Sequence, residues 1–111
     1  MQSPIKPQLF QPAKLGELDL KHRVVLAPLT RLRTTGGTAN AVLVMPLAKE
    51  YYVQRASAPG TLLITEGTII TSKGGSFPYF PGVYTPEQIS AWKEVRYCDR
   101  YLHLVLHVDS L

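Results

Sequence analysis

A single cysteine, Cys98, occurs in these 111 residues, so no internal disulfide can form. Cys98 sits between Tyr97 and Asp99 with no base beside it, which reads as an inert thiol. Long hydrophobic runs are also lacking. None approaches the ~18 residues of a membrane span, and Met1-Gln2-Ser3-Pro4-Ile5-Lys6-Pro7 has no apolar stretch of signal-peptide length. The expected location is therefore the cytoplasm. Asp109-Ser110-Leu111 lacks the central base of a peroxisomal tripeptide. The formal net charge is +4, yet the twelve Lys and Arg are scattered and the densest group is Arg31-Leu32-Arg33. Without a clustered basic face, nucleic acid is not an expected partner. The glycine spacings of dinucleotide and phosphate-binding loops are missing, and Lys73-Gly74-Gly75-Ser76 lies far beyond a strand and opens no helix. His103 and His107 stand four apart with no further ligands at a metal-binding spacing. There is no internal repeat.

What is present is a globular composition, 45% hydrophobic and 18% charged, organised as short apolar runs between helical or loop segments. Leu15 to Lys21 alternates weakly at period two, with Gly16-Glu17 as the turn of a small antiparallel hairpin. It leads into Arg23-Val24-Val25-Leu26-Ala27, a near-continuous apolar run ended by Pro28, as expected of a strand covered on both faces. A helix is predicted from Pro46 through Ala56, with Leu47, Tyr51, Ala48 and Tyr52 as its apolar stripe. Pro59-Gly60 breaks the chain before a second buried-type strand, Thr61 to Thr65, parallel to the first if the helix is a crossover. Thr85-Pro86-Glu87-Gln88 has the spacing of a capping box and predicts a helix through Ile89, Trp92 and Lys93. Leu102 to Val108 is the third candidate strand. The order hairpin, β, α, β, α, β is an α/β pattern that by itself fits a barrel or an open doubly wound sheet.

In parallel α/β folds chemistry gathers at the carboxyl ends of the strands. Here these are Ala27-Pro28-Leu29-Thr30-Arg31, Thr65-Glu66-Gly67-Thr68 and whatever follows Val108. Together with Leu9-Phe10-Gln11-Pro12, Leu20-Lys21-His22-Arg23-Val24-Val25, Glu50-Tyr51-Tyr52-Val53-Gln54-Arg55-Ala56-Ser57 and Pro81-Gly82-Val83-Tyr84-Thr85-Pro86-Glu87-Gln88-Ile89, these ends resemble the old yellow enzyme family of FMN-dependent ene-reductases. The likeness runs from about Leu9 to Val95, and Pro59 to Leu63 is most similar to fungal members.

The resemblance implies the N-terminal portion of a (β/α)₈ TIM barrel, about three of its eight strands, with FMN at the strand carboxyl ends. It places Pro28, Leu29 and Thr30 along the flavin, the Thr30 hydroxyl toward the O4/N5 edge, and Gly67 where the backbone passes close to the ring. NAD(P)H is the implied reductant and an activated alkene of the enone type the implied substrate. The pattern is lost after Val95. Arg96 to Tyr101 replaces a helix end and turn, Val105 stands where the family has a flavin-binding Gln, His107 replaces or adjoins a lost Trp, and Asp109-Ser110 stand for a Gly-Arg pair. The pair that grips the substrate carbonyl and the proton-donating Tyr would follow a fourth strand, so no catalytic residue is assigned here. The chain alone is expected to be an inactive remnant. The alternatives are a gene-model or splice fragment of an active ene-reductase, and an interaction module pairing through its open sheet edge. Residues from Arg96 onward are expected to be irregular. Phe77, Tyr79, Phe80 and Tyr84 could line an aromatic rim or serve as packing.

Overall fold

The computed structural model describes residues 3–36, 40–73, 78–96, 103–105 and 108–109. In chain order a 3-10 turn, Gln8–Phe10, precedes β1 (Ala13–Leu15), β2 (Leu18–Leu20), β3 (Val25–Leu26) and α1 (Leu47–Arg55). Then come β4 (Leu62–Ile64), β5 (Thr68–Ile69), α2 (Pro86–Arg96), β6 (His103–Val105) and β7 (Val108–Asp109). The hairpin β1–β2 is antiparallel and turns at Gly16, whose φ of 58° costs a glycine nothing.

Parallel strands in the order β3-β4-β6 form the central sheet, with Leu26 beside Leu63 and Leu63 beside Leu104. β5 pairs with β7 in a second short parallel ladder. The helices lie between successive parallel strands, so this is the β/α pattern expected from the sequence.

Two expectations need correction here. β6 lies in register against Leu62–Ile64, so the His103–Val105 part of the candidate third strand is regular although the family pattern is lost there. Strand pairing is a backbone property and tolerates the exchange of a ligand-binding side chain for Val105. The expectation for 97–102 and for Leu106 and His107 lies outside the described residues, as do Cys98, Gly74 to Ser76 and Phe77. The second correction concerns β3. It has only two paired residues, Val24 and Val25 on opposite faces are both exposed, and the strand order puts it at an edge of the described sheet rather than covered on both faces.

Both helices pack on one side of the sheet. α1 buries Ala48, Tyr52 and Ala56, spaced i, i+4, i+8, and leaves Leu47 more than half exposed. Each step along a helix turns the side chain by about 100°, so a stripe centred on Tyr52 cannot also bury Leu47. α2 contributes Gln88, Ala91, Trp92 and Val95. Leu43, Leu63 and the apolar residues of the two helices make one core, with Leu26, Val42, Met45 and Val83 packed against it. The small Ala48 and Ala91 leave room for Tyr52 and Trp92, whose rings lie 6.0 Å apart.

The start of β4 is tied to the segment after β2. Val24 N–H donates to His22 Nδ1, so a neutral His22 carries its proton on Nε2 and donates to Thr61 Oγ1 at 2.7 Å, and that hydroxyl donates to the Ala58 carbonyl. Beside it Lys21 N–H donates to the Gly60 carbonyl at 3.2 Å. Gly60 has a φ of 72°, and a Cβ there would overlap Lys21 Cγ and reach 3.0 Å from the Lys21 backbone nitrogen. Gly60→Ala is expected to destabilise the fold by about 2 kcal/mol, combining left-handed backbone strain with the loss of this close approach. Chemical denaturation measures it, and an unchanged midpoint would show that the Lys21 contact is dispensable.

Candidate functional site

The register places the ends of β3 and β4 side by side. Leu26 pairs with Leu63, so Thr30 and Gly67 each lie four residues past a paired position on neighbouring parallel strands. Val108 of β7 lies at the same distance past Leu104. Pro28, Leu29 and Thr30 are exposed, and the Thr30 hydroxyl makes no hydrogen bond to a described residue. Gly67 is buried. The structure thus brings the four predicted cofactor contacts to one end of the sheet. Val105, placed where a flavin-binding Gln was expected, pairs with Ile64 inside the ladder.

Beneath this end lies a cluster that the sequence did not announce. Glu66, one residue before Gly67, is 1% exposed. Its Oε2 accepts from the Tyr52 hydroxyl at 3.4 Å, and the same hydroxyl oxygen lies 3.4 Å from the Glu66 backbone N–H as its acceptor. Thr68 Oγ1 donates to the Glu66 carbonyl at 3.0 Å. Arg31, one residue after Thr30, brings its backbone N–H and its charge toward the same carboxyl. Both favour the ionised form and so pull its pKa down, while Glu66 Oε1 and Arg31 Nη1 are buried without a hydrogen-bond partner among the described residues. The Arg31 guanidinium stacks 3.4 Å from the centre of the Tyr51 ring, and Arg55 stacks on the same ring at 3.6 Å.

Burial dominates the protonation of this cluster. It raises the Glu66 carboxyl above the ordinary glutamate value, against the opposing pull of the Arg31 N–H, the Arg31 charge and the Tyr52 hydroxyl. Burial and then the Glu66 charge push the Tyr52 phenol up as well, so it stays neutral at physiological pH. A carboxyl whose folded pKa is raised binds its proton more tightly in the folded state. Its contribution to stability is full below the unfolded glutamate value and is lost as pH rises through the folded one. Stability is therefore expected to fall over that window, and Glu66→Gln to remove that component. Denaturation midpoints from pH 4 to 8 would show it; parallel curves for the two proteins would contradict it.

Outside this cluster, Arg31, Arg33, Tyr51, Arg55 and Tyr79 line a cleft of about 570 Å³ on the α1 side. Tyr79 is half-exposed at a φ of 65°. Tyr84 of the suggested aromatic rim accepts the Asn40 N–H on its hydroxyl at 3.0 Å, a packing role. Among the described residues no three His, Cys, Asp or Glu side chains group as metal ligands, and no helix is long and apolar enough to cross a membrane.

Known proteins share this arrangement. The sequence profile of the NADH:flavin oxidoreductase / NADH oxidase family matches residues 8–97. The chain belongs to that family. It is 50% identical over 88 residues to the NADP-dependent oxidoreductase lnbE of Aspergillus flavus, covering 79% of this chain and 22% of the relative. It is 47% identical over 87 residues to a probable inactive reductase, easA, of Epichloe festucae var. lolii, covering 78% of this chain and 22% of the relative. The crystal structure of Old Yellow Enzyme from Pichia sp. AKU4542 superposes with a TM-score of 0.78 at 34% identity, over 94% of this chain and 26% of that one. The fold is accordingly a part of the old yellow enzyme TIM barrel, and the chain spans about a quarter of that protein's length.

Proposed function

We propose that this chain is the first, flavin-facing part of an NAD(P)H-dependent FMN oxidoreductase barrel that reduces the carbon–carbon double bond of activated alkenes, and that by itself it performs no turnover. The observation that carries the reading is the convergence of Thr30 and Gly67 on adjacent strand ends, in a chain of the NADH:flavin oxidoreductase family. FMN supplies hydride transfer when bound. Pro28 to Thr30 offer an exposed edge, with a Thr30 hydroxyl that bonds none of the described residues, which fits contact with one side of a flat, hydrogen-bonding ring. In this reading Thr30 donates toward the flavin and stabilises the negative charge that reduction adds, while Gly67 keeps the second loop free of a side chain. The similar identity to an oxidoreductase and to a probable inactive reductase supports placing catalytic competence outside this segment.

The test is a chimera in which residues 9–95 replace their counterpart in the Pichia old yellow enzyme. It is expected to retain FMN, and Thr30→Ala within it to lower the flavin reduction potential while leaving FMN bound. A colourless chimera, or a potential indifferent to Thr30, would overturn the assignment.

A further inference from the structure

The cleft on the α1 side gathers charge that the sequence keeps apart. Arg31 and Arg33 reach it from the loop after β3 and Arg55 from the last turn of α1, while Glu50 is the one acid among the described residues that line it. The guanidiniums of Arg31 and Arg55 both lie on the Tyr51 ring, at 3.4 and 3.6 Å, and so stand within about 7 Å of each other, where like charges repel. Stacking fixes them by their faces and leaves in-plane N–H donors at their edges. Arg55 Nη1 directs its donors to the Tyr51 carbonyl and Gln54 Oε1. Arg31 Nη1 is buried with no partner among the described residues. Thr34, which also lines the cleft, is 5% exposed, and its Oγ1 is likewise buried without a partner among them. Leu32 and Tyr79 line the same cleft at φ of 57° and 65°, a left-handed region that such side chains rarely adopt. Unpartnered donors and strained backbone gathered in one cavity mark a binding site rather than a solvated face.

We propose that this cleft binds a phosphate monoester, whose phosphate takes hydrogen bonds from Arg31, Arg33 and Thr34 Oγ1 and is held by the charge of Arg55. A phosphate monoester carries about 1.5 to 2 negative charges near neutral pH, and its oxygens accept from guanidinium forks. It turns the repulsion between the arginines into attraction and gives Arg31 Nη1 and Thr34 Oγ1 the partner they lack. The cleft, about 570 Å³, is larger than a phosphate group, and Leu32, Val44 and Leu47 line it with apolar surface that suits the organic part of the ester. None of Pro28, Leu29, Thr30 and Gly67 lines it, so the proposal stands apart from the flavin reading.

The experiment uses the 111-residue chain without flavin, with phenyl phosphate, inorganic phosphate and benzoate as probes, each against chloride at equal ionic strength. Nuclear magnetic resonance follows the arginine Nε–H groups and the Thr34 amide. These signals are expected to shift saturably with phenyl phosphate and to share one dissociation constant. Inorganic phosphate is expected to bind about tenfold more weakly, because it buries no apolar surface, and benzoate more weakly as well, because it carries a single charge. Arg33→Gln, at an exposed position, should weaken phenyl phosphate about tenfold and Thr34→Val about fivefold, the scales of a charge-assisted and a neutral hydrogen bond. Lys14→Gln makes the same charge change at an exposed position of the hairpin and should leave the affinity unchanged. Shifts that do not saturate or that chloride reproduces, inorganic phosphate or benzoate binding as tightly as phenyl phosphate, or an equal loss in Lys14→Gln and Arg33→Gln overturns the proposal. If Thr34→Val does not fold, the comparison of Arg33→Gln with Lys14→Gln decides the matter.

Discussion

Supplied with FMN and NAD(P)H, the 111-residue chain is expected to reduce an activated enone no faster than free FMN does. Ene-reduction needs a flavin in a fixed pose, a substrate carbonyl polarised by donors, and a proton delivered from the opposite face. In the proposed reading Thr30 answers part of the first need. The carbonyl-gripping pair and the proton donor that the family resemblance places after a fourth strand are not among these residues. Losing one oxyanion-type donor typically lowers a rate about 10²–10³-fold, so the loss of all of them leaves only background. Retention of FMN at one-to-one ratio through gel filtration is likewise not expected, since a few contacts on one side of the ring must offset several kcal/mol of lost freedom. The assay runs beside Thr30→Ala. Turnover above free FMN that disappears in this variant would show an enzyme where we expect none.

The largest stability effect is expected at Gly82. A Cβ there would lie 2.5 Å from Gln88 Nε2 and 2.8 Å from Oε1. Gln88 cannot yield cheaply. It is 1% exposed, its Oε1 accepts from the N–H groups of Tyr84 and Thr85, and its Nε2 donates to the Ala41 carbonyl. Displacing it strands several buried polar groups at about 1–3 kcal/mol each, so Gly82→Ala should cost about 3 kcal/mol or more. That is a large share of the stability of a small domain. The double variant Gly82→Ala/Gln88→Ala removes the obstacle, and should be barely less stable than Gln88→Ala alone. Additive costs in denaturation would show that the clash is relieved elsewhere.

Gln88 also marks the boundary of what the sequence could tell. Its bond to Thr85 was legible, because a capping box is written in four consecutive residues: Gln88 N–H donates to Thr85 Oγ1 at 3.2 Å. Its bond to Ala41, 47 positions away, was not. Of the candidate strand at Leu102 to Val108, legible from its apolar run, His103–Val105 pairs with β4, and that pairing despite the missing family residues was not legible, because it answers to backbone and apolar pattern rather than to ligand contacts. The stripe on α1 was misread at Leu47 because two apolar pairs, Leu47-Ala48 and Tyr51-Tyr52, fit more than one helical face. Glu66 escaped notice for a physical reason: a glutamate at a strand end ordinarily sits in water, and nothing local signals that Tyr52 and Arg31 will enclose it.

The brevity of β3 bears on how this chain meets other molecules. A growing fibre recruits each new strand through a run of unpaired backbone donors and acceptors, and a two-residue margin presents too few to nucleate one. Contact through this side must instead be made by the side chains of Val24, Val25 and Leu29, which stand in water. Such contact is greasy rather than templated. It should be reversible on dilution, should strengthen in sulfate and weaken in the cold, and should produce small clusters instead of ordered filaments.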